Sequence, residues 1–272
     1  PARRGSAGVV TLLNGAGDFG ASIPDVDGAV FASLPDGTGG WWLAGNFERV
    51  GGVSRTNLAH VLADGSVDTA FAPTINGVVR DMVVREDSIY TVGAFTTVNG
   101  VSAQRVARLD MTGALVWGGG ANNAVYSIDL DSSSTAIFIG GDFTSYAGNS
   151  SFKRLARLDA ATGALVTTFT PGTVNLTVRD IQVGNAGVWI AGDFTQVGGV
   201  GRQRVALVNA ATGVLGSFSA SINDRVNSLT LDASQSTVYL AGRFSKIANI
   251  SRSGFVGLNT STSAATTSRV SL

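Results

Sequence analysis

The chain has 272 residues, of which 44% are apolar, 14% are charged and 36 are Gly. The 19 basic and 19 acidic residues cancel, so no global field favours nucleic acid or an anionic membrane surface. Cys is absent, which excludes disulfides and thiolate chemistry, and no apolar run approaches the roughly 18 residues that indicate a membrane span. Abundant Gly with few charges instead predicts many short buried strands joined by tight turns.

The first predicted element lies at residues 8–23, where "GVVTLLNGAGDF" matches the later hairpin "NLAHVLADGSVDTAF". We interpret it as half of a repeat. Five complete repeats follow, which we number 1 to 5, at about 28–71, 77–120, 123–170, 176–219 and 224–270.

Each repeat contains an apolar strand, here called B, that ends in a motif such as "AGDFTQVGG". The Phe of this motif recurs at intervals of 48, 48, 51 and 50 residues, at Phe47, Phe95, Phe143, Phe194 and Phe244. Two positions earlier stands Gly, which predicts close approach of a neighbouring backbone. Five positions earlier stands an aromatic residue, and we expect this set to be buried between repeats: Trp42, Tyr90, Phe138, Trp189 and Tyr239.

Strand A precedes strand B in each repeat, as in the alternating segments "VRDMVV" and "VRDIQV". Downstream, "RLARLDAATGALVTTF" and its sisters predict a hairpin of strands C and D that turns at Thr-Gly. Four antiparallel strands in a unit that repeats about every 49 residues predict an all-β fold, a β-propeller of four-stranded blades.

The pattern "G-D-F-T-x-V-G-G…R-V-A-x-L-x-A-A-T-G" resembles the delta-60 repeat family, with weaker similarity to kelch blades and fungal polarity-marker propellers. This resemblance spans residues 8 to 260 and implies a propeller from a large secreted or surface bacterial protein. It implies no catalytic residues, because the family has no agreed activity.

Counting hairpins predicts how the ring closes. The N-terminal half repeat and the five complete repeats contain six C–D hairpins but only five A–B hairpins. We therefore expect residues 1–272 to form one six-bladed domain, completed by about 20 further residues of a larger polypeptide or by another subunit. The alternative is a five-bladed ring with the N-terminal hairpin as an appendage.

Residues present in every repeat are expected to stabilise it. One such position, three residues before the first Val of strand A, predicts a strand-entry turn and holds Asp27, Asn76, Asn122, Asn175 and Asn223. The loops between strands B and C each carry an Arg that we expect to pair with backbone carbonyls or acids of its own repeat: Arg55, Arg105, Arg154, Arg204 and Arg252.

Residues that depart from the repeat are the candidates for binding, and they are Arg80, Asp81, Arg179, Asp180, Asp224, Arg225 and Trp41. Internal ion pairs are the alternative for the charged residues, and core or interblade packing is the alternative for Trp41. If these residues form a site, Arg80, Arg179 and Arg225 should lie closer to the central channel than Arg105 and Arg204.

Catalytic chemistry has little support in the sequence. The only His, His60, lies in strand C among apolar residues, where it replaces Arg108, Arg157 or Val208 and is expected to face solvent. Paired carboxylates for glycosidase chemistry could come from Asp25, Asp27, Asp81, Asp180 and Asp224. No catalytic residue, metal ligand or cofactor is assigned.

The leading functional hypothesis is a non-enzymatic binding or adhesion module, extracellular or on the cell surface, that uses the loop face of the propeller. Its expected partners are glycans or other protein subunits, with no nucleic acid and no membrane span. The alternatives are a polysaccharide-active enzyme with paired Asp residues on that face, and a structural subunit of a surface appendage or virion.

Overall fold

The structure is a computed structural model that describes residues 5–6, 24–248 and 250–266. These residues divide between two compact units, Pro1–Gly120 with repeats 1 and 2, and Ala121–Leu272 with repeats 3 to 5. The predicted N-terminal hairpin at 8–23 lies outside the described residues. Just before it, Gly5–Ser6 pairs antiparallel with strand A of repeat 1.

Every repeat folds as an antiparallel sheet in the order A, B, C. Strand A spans Ala29–Pro35, Val79–Arg85, Val125–Leu130, Val178–Gly184 and Val226–Leu231 in repeats 1 to 5. Strand B spans Trp41–Asn46, Ser88–Gly93, Ala136–Gly141, Gly187–Gly192 and Thr237–Gly242. Strand C spans Leu58–Val61, Val106–Asp110, Leu155–Asp159, Val205–Val208 and Phe255–Asn259.

Among the described residues, strand D is regular only in repeat 2, at Leu115–Gly118. In the other repeats the predicted fourth strand is reduced to an isolated bridge, such as that between Leu158 and Leu165. The D segments of repeats 1, 3 and 4 end in a Phe that is buried in the core, namely Phe71, Phe169 and Phe218. These segments bend away from the sheet edge because each Phe is packed against an aromatic residue of strand B.

A short hairpin joins strands B and C in four repeats. Its strands are Arg49–Val50 with Val53–Ser54, Thr97–Val98 with Val101–Ser102, Gln196–Val197 with Val200–Gly201, and Lys246–Ile247 with Ile250–Ser251. In repeat 3 a bridge between Tyr146 and Asn149 takes its place. The described residues include no helix long and apolar enough to cross a membrane.

The core lies between successive sheets. Trp189 of repeat 4 belongs to one buried cluster with Ile222 and Leu229 of repeat 5, and Phe138 of repeat 3 is clustered with Val178 and Ile181 of repeat 4. Burial is confirmed for Trp42, Tyr90, Phe138 and Trp189, which are at most 5% exposed. For Tyr239 the prediction is wrong, because no further repeat follows among the described residues and this ring is only partly covered.

Candidate functional site

The repeated Asn or Asp before strand A bridges the two ends of the A–B hairpin. Asn175 accepts hydrogen bonds from the backbone N–H groups of Thr195 and Gln196 at 2.9 and 3.0 Å, and its amide donates to the Thr195 hydroxyl. Asp27 makes the same pair of contacts, and these N–H donors lower its pKa. The chain bends here at the entry to strand A, as predicted, and the side chain adds a bond to the end of strand B, so its role is structural as expected for a repeated residue.

The repeated arginines fall into two structural positions rather than one. One position, directly before strand C, has positive φ and holds Arg105, Arg154 and Arg204, with Asn57 and Gly254 in the end repeats. Arg55, Arg202 and Arg252 instead lie two residues before that position, with their N–H groups bonded across the B–C hairpin. The expected pairing with carbonyls of the same repeat is confirmed for Arg55, which donates to Ser54 and Asp68. It is also confirmed for Arg204, which donates to Asp193, and for Arg252, which donates to Ser251. Arg154 instead donates to Val174, outside its own repeat.

Strand A bulges at the same place in every repeat, immediately after its first Val. Opposite this bulge lies the repeated Gly of strand B. A Cβ on Gly192 would overlap the carbonyl oxygen of Thr177, and the four sister glycines meet the same obstacle, which confirms the predicted close approach. A bulge turns its extra residue out of the normal alternation, so its side chain is directed independently of the sheet faces.

The extra residue varies among the repeats, in contrast to the residues around it. It is Phe31, Arg80, Tyr126, Arg179 and Asn227 in repeats 1 to 5, here called the bulge residues. The guanidinium of Arg80 lies 4.6 Å from the centre of the Phe31 ring, and that of Arg179 lies 5.8 Å from the centre of the Tyr126 ring. Bulge residues of repeats 1 and 2, and of repeats 3 and 4, therefore contact one another as cation–π pairs.

In the second compact unit the bulge residue Arg179 belongs to a charged network. Arg179 donates from Nε and Nη2 to the carboxylate of Asp193, the shortest distance being 2.7 Å. The Nε of Arg225 donates to Oδ1 of the same carboxylate at 2.7 Å. We call Arg179, Asp193 and Arg225 the arginine cluster.

Mutual contacts favour the ionised forms of Asp193 and Arg179. Partial burial opposes ionisation of Asp193, but the hydrogen bond and charge of Arg179, then those of Arg225, outweigh it and lower the pKa of this carboxyl. The hydrogen bond to Asp193 raises the pKa of Arg179 despite its partial burial. Beside the cluster, Asp142 accepts hydrogen bonds from the Tyr126 hydroxyl at 2.8 Å and from the Thr177 hydroxyl.

Comparison with known proteins identifies the architecture. Residues 41–71, 87–115 and 137–169, together about a third of the chain, match a family described as a domain of unknown function (DUF5122) beta-propeller. The chain is a β-propeller.

Solved propellers support this fold. The WD40 domain of Neurospora crassa Pan2 is similar over 84% of this chain, with a TM-score of 0.55 and 12% identity, and this chain spans only 61% of that one. The computationally designed Ika8 protein is similar over 90% of this chain and 76% of its own, with a TM-score of 0.51 and 10% identity. No curated protein matches the sequence. At these identities the likeness shows the fold alone, which confirms the all-β propeller and leaves the number of blades a prediction.

The predicted acids Asp81 and Asp180 are directed into the propeller repeats. Asp81 is 8% exposed and accepts a hydrogen bond from the N–H of Met82. Asp180 accepts from Ser127 of repeat 3 and from Ser228 and the N–H of Leu229 of repeat 5, so it links three A strands.

The remaining predicted residues lie in different surroundings. Trp41 is half-buried against the cluster that contains Leu43 and Phe47, in agreement with the packing alternative. Asp224 is exposed and accepts a hydrogen bond from the N–H of Arg225 at 2.7 Å. The structure brings Arg179 and Arg225 together through Asp193, a residue that sequence reasoning treated only as part of the repeat.

His60 is part of a compact cluster, so the expectation that it faces solvent was wrong. Its ring stacks on Trp42 with centroids 3.9 Å apart, and its nitrogens lie 2.9 Å from Asp68 and 3.2 Å from Asp36. The aligned residue in repeat 4 is Leu207 rather than Val208, because Leu207 pairs with Trp189 as His60 pairs with Trp42. In repeats 2 and 3 the same position holds Arg108 and Arg157, each over an aromatic ring, and that pattern could have revealed the stack.

One further feature is a polar cleft of about 570 Å³ in the first compact unit. Its walls include Asp27, Asn46, Glu48, Asn57 and Asn76. Asp27, Asn57 and Asn76 already bind backbone groups of their repeats, so much of this wall is scaffold. Within residues 24–248 and 250–266, no group of three or more His, Asp or Glu side chains could hold a metal ion.

Proposed function

We propose that this propeller is a non-enzymatic binding module of an extracellular or cell-surface protein, which contacts a glycan or protein partner through its bulge residues. In this proposal the repeats are delta-60 repeats with kelch-like blades. The resemblance to secreted and surface bacterial propellers supports the location and a role in adhesion.

The observation that supports the proposal is that the bulge recurs in every repeat while the residue it presents varies. The bulge, the opposing Gly and the bridging Asn or Asp recur in all five repeats, whereas the bulge residue is aromatic, cationic or amide. Recurrent residues stabilise a repeat array, and specificity for a ligand comes from the positions that differ. Bulges commonly redirect side chains at functional sites.

Two paired variants test the proposal. One changes Phe31→Ser with Arg80→Gln, and the other changes Tyr126→Ser with Arg179→Gln. The control Arg85→Gln also removes a positive charge from strand A of repeat 2, but at the end of the strand beside the A–B turn. Glycan arrays and isolation of the protein with its native partners provide the binding readout, and melting temperature verifies folding.

We expect at least one paired variant to weaken partner binding about tenfold or more while Arg85→Gln binds as the unaltered protein does. Equal binding by all folded variants would contradict a role for the bulge residues. Release of reducing ends from a polysaccharide would overturn the non-enzymatic proposal in favour of the polysaccharide-active enzyme. Isolation as a fixed component of an appendage or virion, with no separable ligand, would favour the structural subunit.

A further inference from the structure

We propose that the arginine cluster forms a subsite for an oxyanion, a carboxylate or a sulfate, carried by an acidic glycan. This inference rests on the proposed binding function and specifies the ligand chemistry at one part of its surface. Arg225 is the residue that would contact the ligand, and Asp193 is a positioning residue.

The first argument is the unused hydrogen-bonding capacity of Arg225. A guanidinium offers five N–H donors in a planar fork. Among the described residues, the side chain of Arg225 bonds only through Nε, to Asp193. Its two terminal nitrogens therefore keep their donors available, and the side chain is 33% exposed. A pair of parallel N–H donors matches the two oxygens of a carboxylate or sulfate.

The second argument is charge. Two guanidinium groups share the single carboxylate of Asp193, so this group of three carries one more positive than negative charge. Arg243 occupies in repeat 5 the position that Asp193 has in repeat 4, and its backbone N–H donates to the carbonyl of Arg225 at 2.9 Å. The carboxylates nearby are the exposed Asp224, on the N–H of Arg225, and Asp142, which is bonded to two hydroxyls.

The third argument is that the fork is already oriented. Arg179 holds Asp193 through two nitrogens, and Asp193 then holds Nε of Arg225. An arginine fixed in this way loses little conformational freedom when a ligand binds. The next bulge residue, Asn227, is short and exposed, and it makes no hydrogen bond to Arg179 among the described residues.

The surroundings favour a sugar over an acidic peptide. Polar groups surround the cluster: the amide of Asn227 is exposed two positions after Arg225, and the hydroxyls of Thr177 and Tyr126 bond Asp142 on the Arg179 side. Protein interfaces usually place apolar and aromatic side chains at their centre, whereas hydroxyl and amide groups match the hydroxyls of a sugar.

The test measures dissociation constants by calorimetry for four probes: a galacturonic acid trimer, a sulfated galactose trimer, a neutral galactose trimer and a tetraglutamate peptide. The proteins are the unaltered chain, Arg225→Gln, Arg225→Lys, Asp193→Asn and the control Arg85→Gln. Both acidic sugars should bind the unaltered chain and the control, and the trimer that binds more tightly identifies the oxyanion. Arg225→Gln should bind that trimer about tenfold or more weakly, and Arg225→Lys should lie between the two because it keeps the charge without the fork.

Asp193→Asn separates positioning from simple attraction. This change removes a negative charge, so long-range attraction alone would strengthen binding of an acidic sugar. Loss of the oriented guanidinium should instead weaken binding. Tighter binding by Asp193→Asn would overturn the positioning role.

Equal affinity for the neutral trimer, unchanged affinity in folded Arg225→Gln, or preference for the peptide would overturn the subsite. If the paired bulge variants lose their native partner while Arg225→Gln retains it, the subsite fails and the proposed function stands. If none of the variants loses it, the proposed function itself fails.

Discussion

Asp193 shows how a residue of the repeat motif acquires a particular role from its neighbours. Its counterparts are Asn46, Ala94, Asp142 and Arg243. Only in repeat 4 does a carboxylate at this position meet one arginine from its own strand A and another from the next repeat. The chemistry of the site therefore depends on which residues occupy neighbouring repeats.

Individual aromatic residues of strand B should differ in their contribution to stability. Trp189→Ala should lower the free energy of unfolding by about 3–5 kcal/mol, because the ring is 1% exposed and its removal leaves a cavity between repeats 4 and 5. Tyr239→Ala should lower the free energy of unfolding by less, since the Tyr239 ring is partly exposed. Urea unfolding of both variants tests this, and equal losses would contradict the packing difference.

Acid should weaken the cluster around His60. Burial opposes ionisation of Asp36, but hydrogen bonds from Thr38, His60 and Gly40 outweigh it and lower the pKa of Asp36 from 3.8 to about 2. A carboxyl whose pKa is lower in the folded state stabilises the fold above the unfolded pKa and loses that contribution as the pH falls.

We therefore expect about 2 kcal/mol of stability to disappear between pH 4 and pH 2 in the unaltered protein, and less in Asp36→Asn. Asp87→Asn is the control, because the Asp87 side chain is 86% exposed. Urea unfolding at several pH values measures the effect. Parallel acid sensitivity in all three proteins would show that Asp36 contributes nothing.

Among the strands, the A–B hairpin depends on the close approach at its bulge. The repeated Gly permits the carbonyl of strand A to lie where a side chain would otherwise stand. Replacing it forces the two strands apart and disturbs the bulge residue directly opposite.

Gly192→Ala should destabilise the protein by about 3 kcal/mol or more, since the added methyl group would overlap the backbone of Thr177. Gly201→Ala is the matched control, because nothing lies within 4 Å of its added Cβ. Melting temperatures provide the comparison. A stable Gly192→Ala protein would mean that the bulge can relax without cost.

For the molecule as a whole, the six-bladed ring stays a prediction, and strand B of repeat 5 differs in exposure from its counterparts. In repeats 2, 3 and 4 all six residues of this strand are buried, whereas Thr237, Tyr239, Ala241 and Gly242 of repeat 5 are partly exposed. A further repeat packed on this sheet would bury Tyr239 as repeat 5 buries Trp189.

Cryo-electron microscopy of the protein in its native assembly should show six blades. A closed ring of five blades would support the alternative, and an open stack would contradict both. The number of blades follows from a count of hairpins in the sequence, and that count includes residues 8–23, which lie outside the described part of the chain.

Features that depend on adjacent residues were predictable from the sequence. Alternation of apolar residues identifies strands A to C, Thr-Gly identifies the C–D turn, and Gly192 identifies a close backbone approach, because each pattern reflects local geometry. Positive φ at Gly113, Gly163 and Gly213 confirms that turn. Burial of Trp189 was also predictable, because an aromatic residue recurs at this position of strand B in every repeat.

Contacts between repeats were decided by the tertiary structure. Asp193 and Arg225 are 32 positions apart, and Asp180 accepts hydrogen bonds from residues 48 and 53 positions away. These pairings depend on the register and offset with which one sheet lies on the next, and a single sequence contains no measure of either. Some contacts within a repeat were equally hidden. His60 lies between Asp36 and Asp68, and a buried Phe replaces strand D in repeats 1, 3 and 4, because the folding of the segments around each sheet decides which side chains share a space.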